Sequence, residues 1–233
     1  PEFVAKALGG KEKEINVCIA CNQACLDHYF INQPISCLVN PRAARELEFT
    51  NKPAEHSKSV AVVGAGVAGI FCALEAAKRG HQVTLFDAAD RIGGQLWLAG
   101  QVPGKEDYLC AIDGFKAQLS AADVTIKLNK YVTANLLKSL DFDEIVIASG
   151  VSPRQLNIPG AEDPRVIGYT EILNGTKVAG ENVIVIGGGG IGHDVSLFLS
   201  HGKHRNKSKI DAFKSHWGIG EERNLAPAKR NVT

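Results

Sequence analysis

Methionine is absent from all 233 residues, and the first residue is Pro1, which is not a translation start. We therefore expect a piece of a longer protein, and the lack of a secretory leader says little about compartment. Charge is nearly balanced at +1, so nothing calls for nucleic acid or an anionic membrane as partner. No apolar run approaches the ~20 residues that a membrane helix requires. Nor is there a disulfide framework: four of the six cysteines crowd between Cys18 and Cys37, too local a cluster to staple a secreted fold. A metal site in a reducing compartment is the better reading, and with it a cytoplasmic location. No serine, histidine or cysteine constellation argues for nucleophilic hydrolysis, and no catalytic residue is expected in this segment. What remains is the composition of a globular chain, 45% hydrophobic and 22% charged.

The positive signals centre on Ser59-Val-Ala-Val-Val-Gly-Ala-Gly-Val-Ala-Gly-Ile70. A β-branched run breaks into Gly64-x-Gly66-x-x-Gly69 and continues as an Ala-rich helix pattern. Gly64 permits the tight turn, Gly66 the close approach of backbone to a pyrophosphate, and Gly69 the packing of helix on strand. The context supports this: a second strand over 81–86 leads to Asp87, eighteen residues beyond Gly69, where a ribose-binding carboxylate belongs. Further on, 106–121 has helical apolar spacing, Val124–Leu128 alternates as a strand, and Glu144–Gly150 is a strand ending in small residues. Cys72 and Cys110 fall in helical stretches and read as small buried apolar residues rather than ligands.

A second unit repeats the pattern. Asn182-Val-Ile-Val-Ile186 leads into Gly187-x-Gly189-x-x-Gly192 and then a helix over 194–200. One such unit suggests a nucleotide; two suggest a flavin reduced by a nicotinamide. Residues 201–209 read as a basic loop, so His201 and His204, without a carboxylate near them in sequence, read as solvated rather than as a metal pair. A helix is conceivable over 212–223. The residue that would choose between NADH and NADPH lies on a strand beyond the second unit's helix, and no such strand is recognisable before Thr233.

At the other end, Phe3–Leu8 reads as the end of an amphipathic helix stopped by Gly9-Gly10. Cys18-x-x-Cys21-x-x-x-Cys25 follows, with Cys37 after eleven intervening residues. Zinc ribbons pair two separated Cys-x-x-Cys knuckles, so this three-plus-one spacing fits a 4Fe-4S cluster better, with zinc and unligated thiols as the alternatives. The runs Cys18-Ile-Ala-Cys-Asn-Gln-Ala-Cys-Leu-Asp27 and Ser36-Cys-Leu-Val-Asn-Pro-Arg42 closely resemble the iron–sulfur segment of bacterial 2,4-dienoyl-CoA reductases, in the group that includes trimethylamine dehydrogenase. The three residues between Cys21 and Cys25 favour the dienoyl-CoA reductase branch.

That resemblance implies an upstream TIM barrel, carrying FMN and the site for an enoyl-CoA substrate of fatty acid β-oxidation, of which Pro1–Gly10 would be the last remnant. It implies that Gly93, Gly94 and Gln95 touch FAD, that Val132 lies where the adenine passes, and that NADPH is the donor. The expected fold class is α/β: two Rossmann-like dinucleotide-binding units, the second incomplete, after an iron–sulfur loop segment. The expected divisions are 1–55 for the barrel remnant and cluster segment, 56–151 for the FAD unit and 152–233 for the NAD(P)H unit. The implied route runs from NADPH at Gly187, Gly189 and Gly192, via FAD at Gly64, Gly66, Gly69, Asp87, Gly94 and Gln95, through a cluster on Cys18, Cys21, Cys25 and Cys37, to FMN. An electron-donor subunit of the glutamate synthase kind and a non-catalytic fragment are the competing readings; the first carries more cysteines than are found here.

Overall fold

The computed structural model describes residues 2–49, 52–201 and five residues between 210 and 219. Helix α1 (Phe3–Leu8) ends at Gly9, as the glycine pair predicts, and a 3₁₀ turn follows at Glu12–Glu14. Helix α2 (Leu26–Phe30) then lies between the third and fourth cysteines. Next come β1 (Ser59–Val63), α3 (Val67–Lys78), β2 (Gln82–Phe86), α4 (Gln95–Ala99), α5 (Asp107–Ala121), β3 (Thr125–Lys127), α6 (Ala134–Ser139) and β4 (Glu144–Ile147). Helices α7 (Tyr169–Asn174) and α8 (Gly190–His201) complete the order.

The four strands form one parallel sheet in the order β3-β2-β1-β4, with Val62 opposite Leu85 on one side and Val146 on the other. An all-parallel order with β1 inside is what β-α-β crossovers produce, and it brings the C-terminal ends of β1, β2 and β4 to one edge, where α/β proteins bind ligands. Helices α3 and α5 cover one face: Val60, Val62, Leu85, Ile70, Leu74, Phe115 and Leu119 share a single core, with Phe71 and Phe115 edge-to-face at 5.1 Å. The opposite face carries the smaller cluster of Ala61, Phe86 and Leu137. Because β1 is buried on both faces, it reads in sequence as a continuous β-branched run rather than an alternation.

The cysteine segment leans on the α3/α5 side of this core through buried Ile19 and Val39. Cys72 is half-buried, and burial pushes its thiol pKa up. Cys110, expected inside, is exposed on α5: the helix buries Ala111, Ile112, Phe115 and Leu119, a stripe that turns position 110 outward. A second difference concerns Asn182–Ile186, which pairs with no strand among the described residues; Ile184 is 90% and Ile186 61% exposed. A strand needs a neighbouring backbone, and apolar pattern alone does not supply one. The helix after it starts at Gly190, earlier than the apolar spacing suggests. Most of 202–223, with the expected basic loop, His204 and the helix around Trp217, lies outside the described residues.

A glycine cradle at the carboxyl edge of the sheet

β1 ends in a turn that its glycines make possible. Gly64 has φ +110°, and a Cβ there would fall 2.2 Å from the Ala148 carbonyl oxygen. A Cβ on Gly69 would fall 1.8 Å from the Gly64 carbonyl oxygen, so α3 sits on the turn at a distance only glycine allows. Gly66, the N-cap of α3, behaves differently: a Cβ there would meet nothing within 4 Å. Protein packing accounts for Gly64 and Gly69 but leaves open space in front of Gly66, where the free N–H groups of a twelve-residue helix face outward. That open space is where the expected pyrophosphate would approach.

Asp87 closes the turn from the end of β2. Its Oδ2 accepts from the buried Ala65 N–H at 2.6 Å and its Oδ1 from the Ala89 N–H at 2.8 Å. Each carboxylate oxygen keeps lone pairs for a ribose hydroxyl. The loop beyond then folds back: the Gly93 N–H donates to the Ala65 carbonyl at 2.8 Å, and Gly94, at φ +52°, would bring a Cβ within 3.2 Å of the Gly66 Cα. On the far side the Ala148 N–H donates to Val63 and delivers Ala148, Ser149 and Gly150 beside the turn.

These pieces enclose a cleft of about 670 Å³ lined by Gly64, Gly66, Asp87, Gly93, Gly94, Gln95 and Ala148–Gly150. The expected FAD residues Gly64, Gly66, Asp87, Gly94 and Gln95 are thus brought together; Gly69 sits behind the turn. Val132 does not line the cleft and packs instead in the cluster of Phe86 and Leu137. Among the lining residues that the sequence did not single out are Arg91, Trp97, Asn174 and Thr176. The Arg91 guanidinium stacks 4.1 Å over the Trp97 ring and pairs with Asp90 at 2.6 and 2.9 Å, which holds the Asp90 carboxyl below the usual carboxylate range. Asn174 is followed by Gly175 in the left-handed conformation, a helix-stop signal recognisable in Asn-Gly. Gln95 also accepts from the Tyr169 hydroxyl at 3.2 Å.

The second turn repeats the backbone course of the first, though a Cβ on Gly187 would meet nothing within 4 Å. Gly187 has φ +117°, a Cβ on Gly192 would fall 1.9 Å from the Gly187 carbonyl oxygen, and Gly189 again faces open space. None of the three lines the flavin-sized cleft.

The expected cluster ligands lie in the segment before β1. Cys18 is exposed, its sulfur accepting from the Ala20 N–H at 3.4 Å, while Cys21, Cys25 and Cys37 are half-buried and free. Among the described residues no three cysteine, histidine or carboxylate side chains gather as a metal ion requires.

The sequence profile of the pyridine nucleotide-disulphide oxidoreductase family matches residues 58–209, with a second match over 36–97. The chain belongs to this family, whose fold and glycine turns define a flavin- and NAD(P)H-using electron-transfer domain. Among curated relatives, it is 39% identical to the metal reductase of Desulforamulus reducens over 204 residues, 86% of this chain and 30% of that protein. It is 36% identical to the cinnamate reductase of Clostridium sporogenes, covering 85% of this chain and 30% of the relative. A solved 2-naphthoyl-CoA reductase, in complex with 2-naphthoyl-CoA, superposes with a TM-score of 0.83 at 35% identity, covering 86% of this chain and 31% of that one. The chain thus spans about 30% of the length of these relatives. No helix among the described residues is long and apolar enough to cross a membrane.

Proposed function

We infer that this chain is the electron-input part of a flavin-dependent reductase, with FAD in the cleft at Gly64–Gly69 and NADPH at Gly187–Gly192. The observation that carries the reading is the open space before Gly66 between two glycines that packing does require. A flavin held there accepts a hydride from reduced nicotinamide and can release its electrons singly. The chain's own residues bind and orient. The N–H groups that open α3 face the diphosphate, Asp87 accepts from ribose hydroxyls while tying down Ala65, and the small residues Ala148–Gly150 admit the ligand's close approach.

For the whole protein we propose that the electrons reduce a conjugated acyl-CoA of the 2,4-dienoyl-CoA type through FMN on an additional barrel domain. Support comes from the spacing of Cys18, Cys21, Cys25 and Cys37 and from the reductases named among its relatives. Cys18, Cys21, Cys25 and Cys37 are the residues that would hold a 4Fe-4S cluster between FAD and FMN.

The test is anaerobic titration of purified, FAD-loaded protein with NADPH. Stoichiometric FAD that bleaches on NADPH addition is expected. Protein that retains no FAD, or FAD indifferent to both NADPH and NADH, would overturn the reading. Iron and acid-labile sulfide analysis of the same sample decides the cysteine segment: iron with equimolar sulfide supports a cluster, zinc or no metal removes it.

A further inference from the structure

The two glycine turns lie far apart in sequence, and a loop after α4, together with α7, joins their elements. α4 lines the flavin cleft through Gln95–Leu98, and its C-terminal end runs into Val102-Pro103-Gly104-Lys105. The Lys105 N–H closes this turn on the Val102 carbonyl at 3.1 Å, and Gly104 has φ +84°, a conformation that glycine adopts without strain. The turn aims two groups at α8. Buried Val102, with Leu98 and Leu173, packs against Phe198, and the Lys105 ammonium bonds both oxygens of Asp194 at 2.7 Å. Asp194 and Phe198 are four apart and so share one face of α8. Asp194 lies just two residues beyond Gly192, inside the first turns of the helix that the second cradle opens.

We propose that Lys105 is a positioning residue: its ion pair with Asp194 fixes the second glycine turn relative to the flavin cleft. The proposal rests on the functional reading above for its chemical consequence, though not for the contact itself. Lys105 and Asp194 keep 35% and 26% of their side chains exposed, and an ion pair of that exposure adds little to global stability. Its effect is geometric. The apolar contacts of α8 at Phe198 and with α7 are non-directional, whereas one ammonium shared by two carboxylate oxygens fixes the helix at a defined point. Hydride transfer is sensitive to such placement, since a misplacement of about 1 Å can cost ~100-fold in rate.

The experiment uses FAD-loaded protein carrying Lys105→Met, Asp194→Asn, or the reversal Lys105→Glu with Asp194→Lys. Amide exchange over 190–201 reads the clamp without any chemistry; stopped-flow reduction of the bound flavin by NADPH reads its consequence. Each single substitution is expected to speed exchange over 190–201 and slow flavin reduction by about tenfold or more at unchanged FAD content, with a smaller change in nucleotide Kd. The reversal is expected to recover most of both. Unchanged exchange in the single variants, no recovery in the reversal, or loss of FAD from all three would overturn the proposal. If the unsubstituted protein's flavin is not reduced while exchange responds as expected, the clamp stands and the functional reading falls. Normal reduction with unresponsive exchange removes the clamp and leaves the functional reading standing.

Discussion

The two glycine turns have the same local geometry and different surroundings. In both, the first glycine sits near φ +110° to +117° and the third presses on the first one's carbonyl, at 1.8 Å for a Cβ on Gly69 and 1.9 Å for one on Gly192. Yet β1 is held in a sheet by β2 and β4, whereas Asn182–Ile186 has no strand beside it among the described residues. The first turn also has Asp87 to tie Ala65 down; among the described residues no carboxylate does so at the second. A glycine turn is therefore a local property of about six residues, and the strand that feeds it depends on partners distant in sequence.

The strongest test of that comparison is a pair of alanine substitutions. Gly69→Ala places a methyl against a carbonyl oxygen that neighbouring strands hold in place. It should cost about 3 kcal/mol, lower Tm by roughly 6–12 °C, and empty the cleft of FAD. Gly192→Ala makes the same clash against a carbonyl that no paired strand among the described residues holds. It should cost about 1 kcal/mol, keep FAD and weaken NADPH binding. Thermal melts with flavin content on both variants check this; equal losses would mean that the second turn is held as rigidly as the first.

Asp87 offers a smaller effect confined to the first turn. Asp87→Ala leaves the fully buried Ala65 N–H without its acceptor, at about 2 kcal/mol. If the same carboxylate also accepts from the ribose, the FAD Kd should rise by roughly 30-fold for a ~2 kcal/mol loss. Asp87→Asn keeps one acceptor oxygen and should fall between. Titration of the apoprotein with FAD measures both, and unchanged affinity in Asp87→Ala would remove the ribose role.

Both turns were readable in the sequence because everything that shapes them is local: a β-branched run, three glycines at fixed spacing and a helix. β2, with Asp87 at its end, was readable for the same reason. The pairing of Asn182–Ile186 was not, since a ladder is a relation between distant segments. The Arg91–Trp97 stack escaped because loop side chains follow no period, and the Lys105–Asp194 pair because 89 residues separate its partners. Val132, expected where the adenine passes, packs against the cluster of Ala61, Phe86 and Leu137, a contact that no local pattern announces. The cysteines are the sharpest case. Spacing names four candidate ligands, while their arrangement depends on the backbone between them, where Ala20 and Asn22 both take positive φ.

The smallest expected effect concerns the opposite end of β1, which is pinned in a way not seen for Asn182–Ile186. The Ser59 N–H and hydroxyl both donate to Asp143 Oδ2 at 2.7 Å, and the Asp143 N–H returns a bond to the Ser59 hydroxyl at 3.0 Å. The Ser59 N–H, and then its hydroxyl, hold the Asp143 carboxyl below the usual carboxylate range. A carboxyl whose folded pKa lies below its unfolded value, near 3.9, adds stability that is fully present above that value and is lost as pH falls through the folded pKa. Asp143→Asn should therefore lower stability slightly at neutral pH, and the difference from the unsubstituted protein should shrink below about pH 4. Denaturant melts at pH 7 and in that acid range check the sign. A difference that persists in acid would show that the pin at β1 and β4 acts through hydrogen-bond geometry alone, leaving charge no part in why this strand pairs.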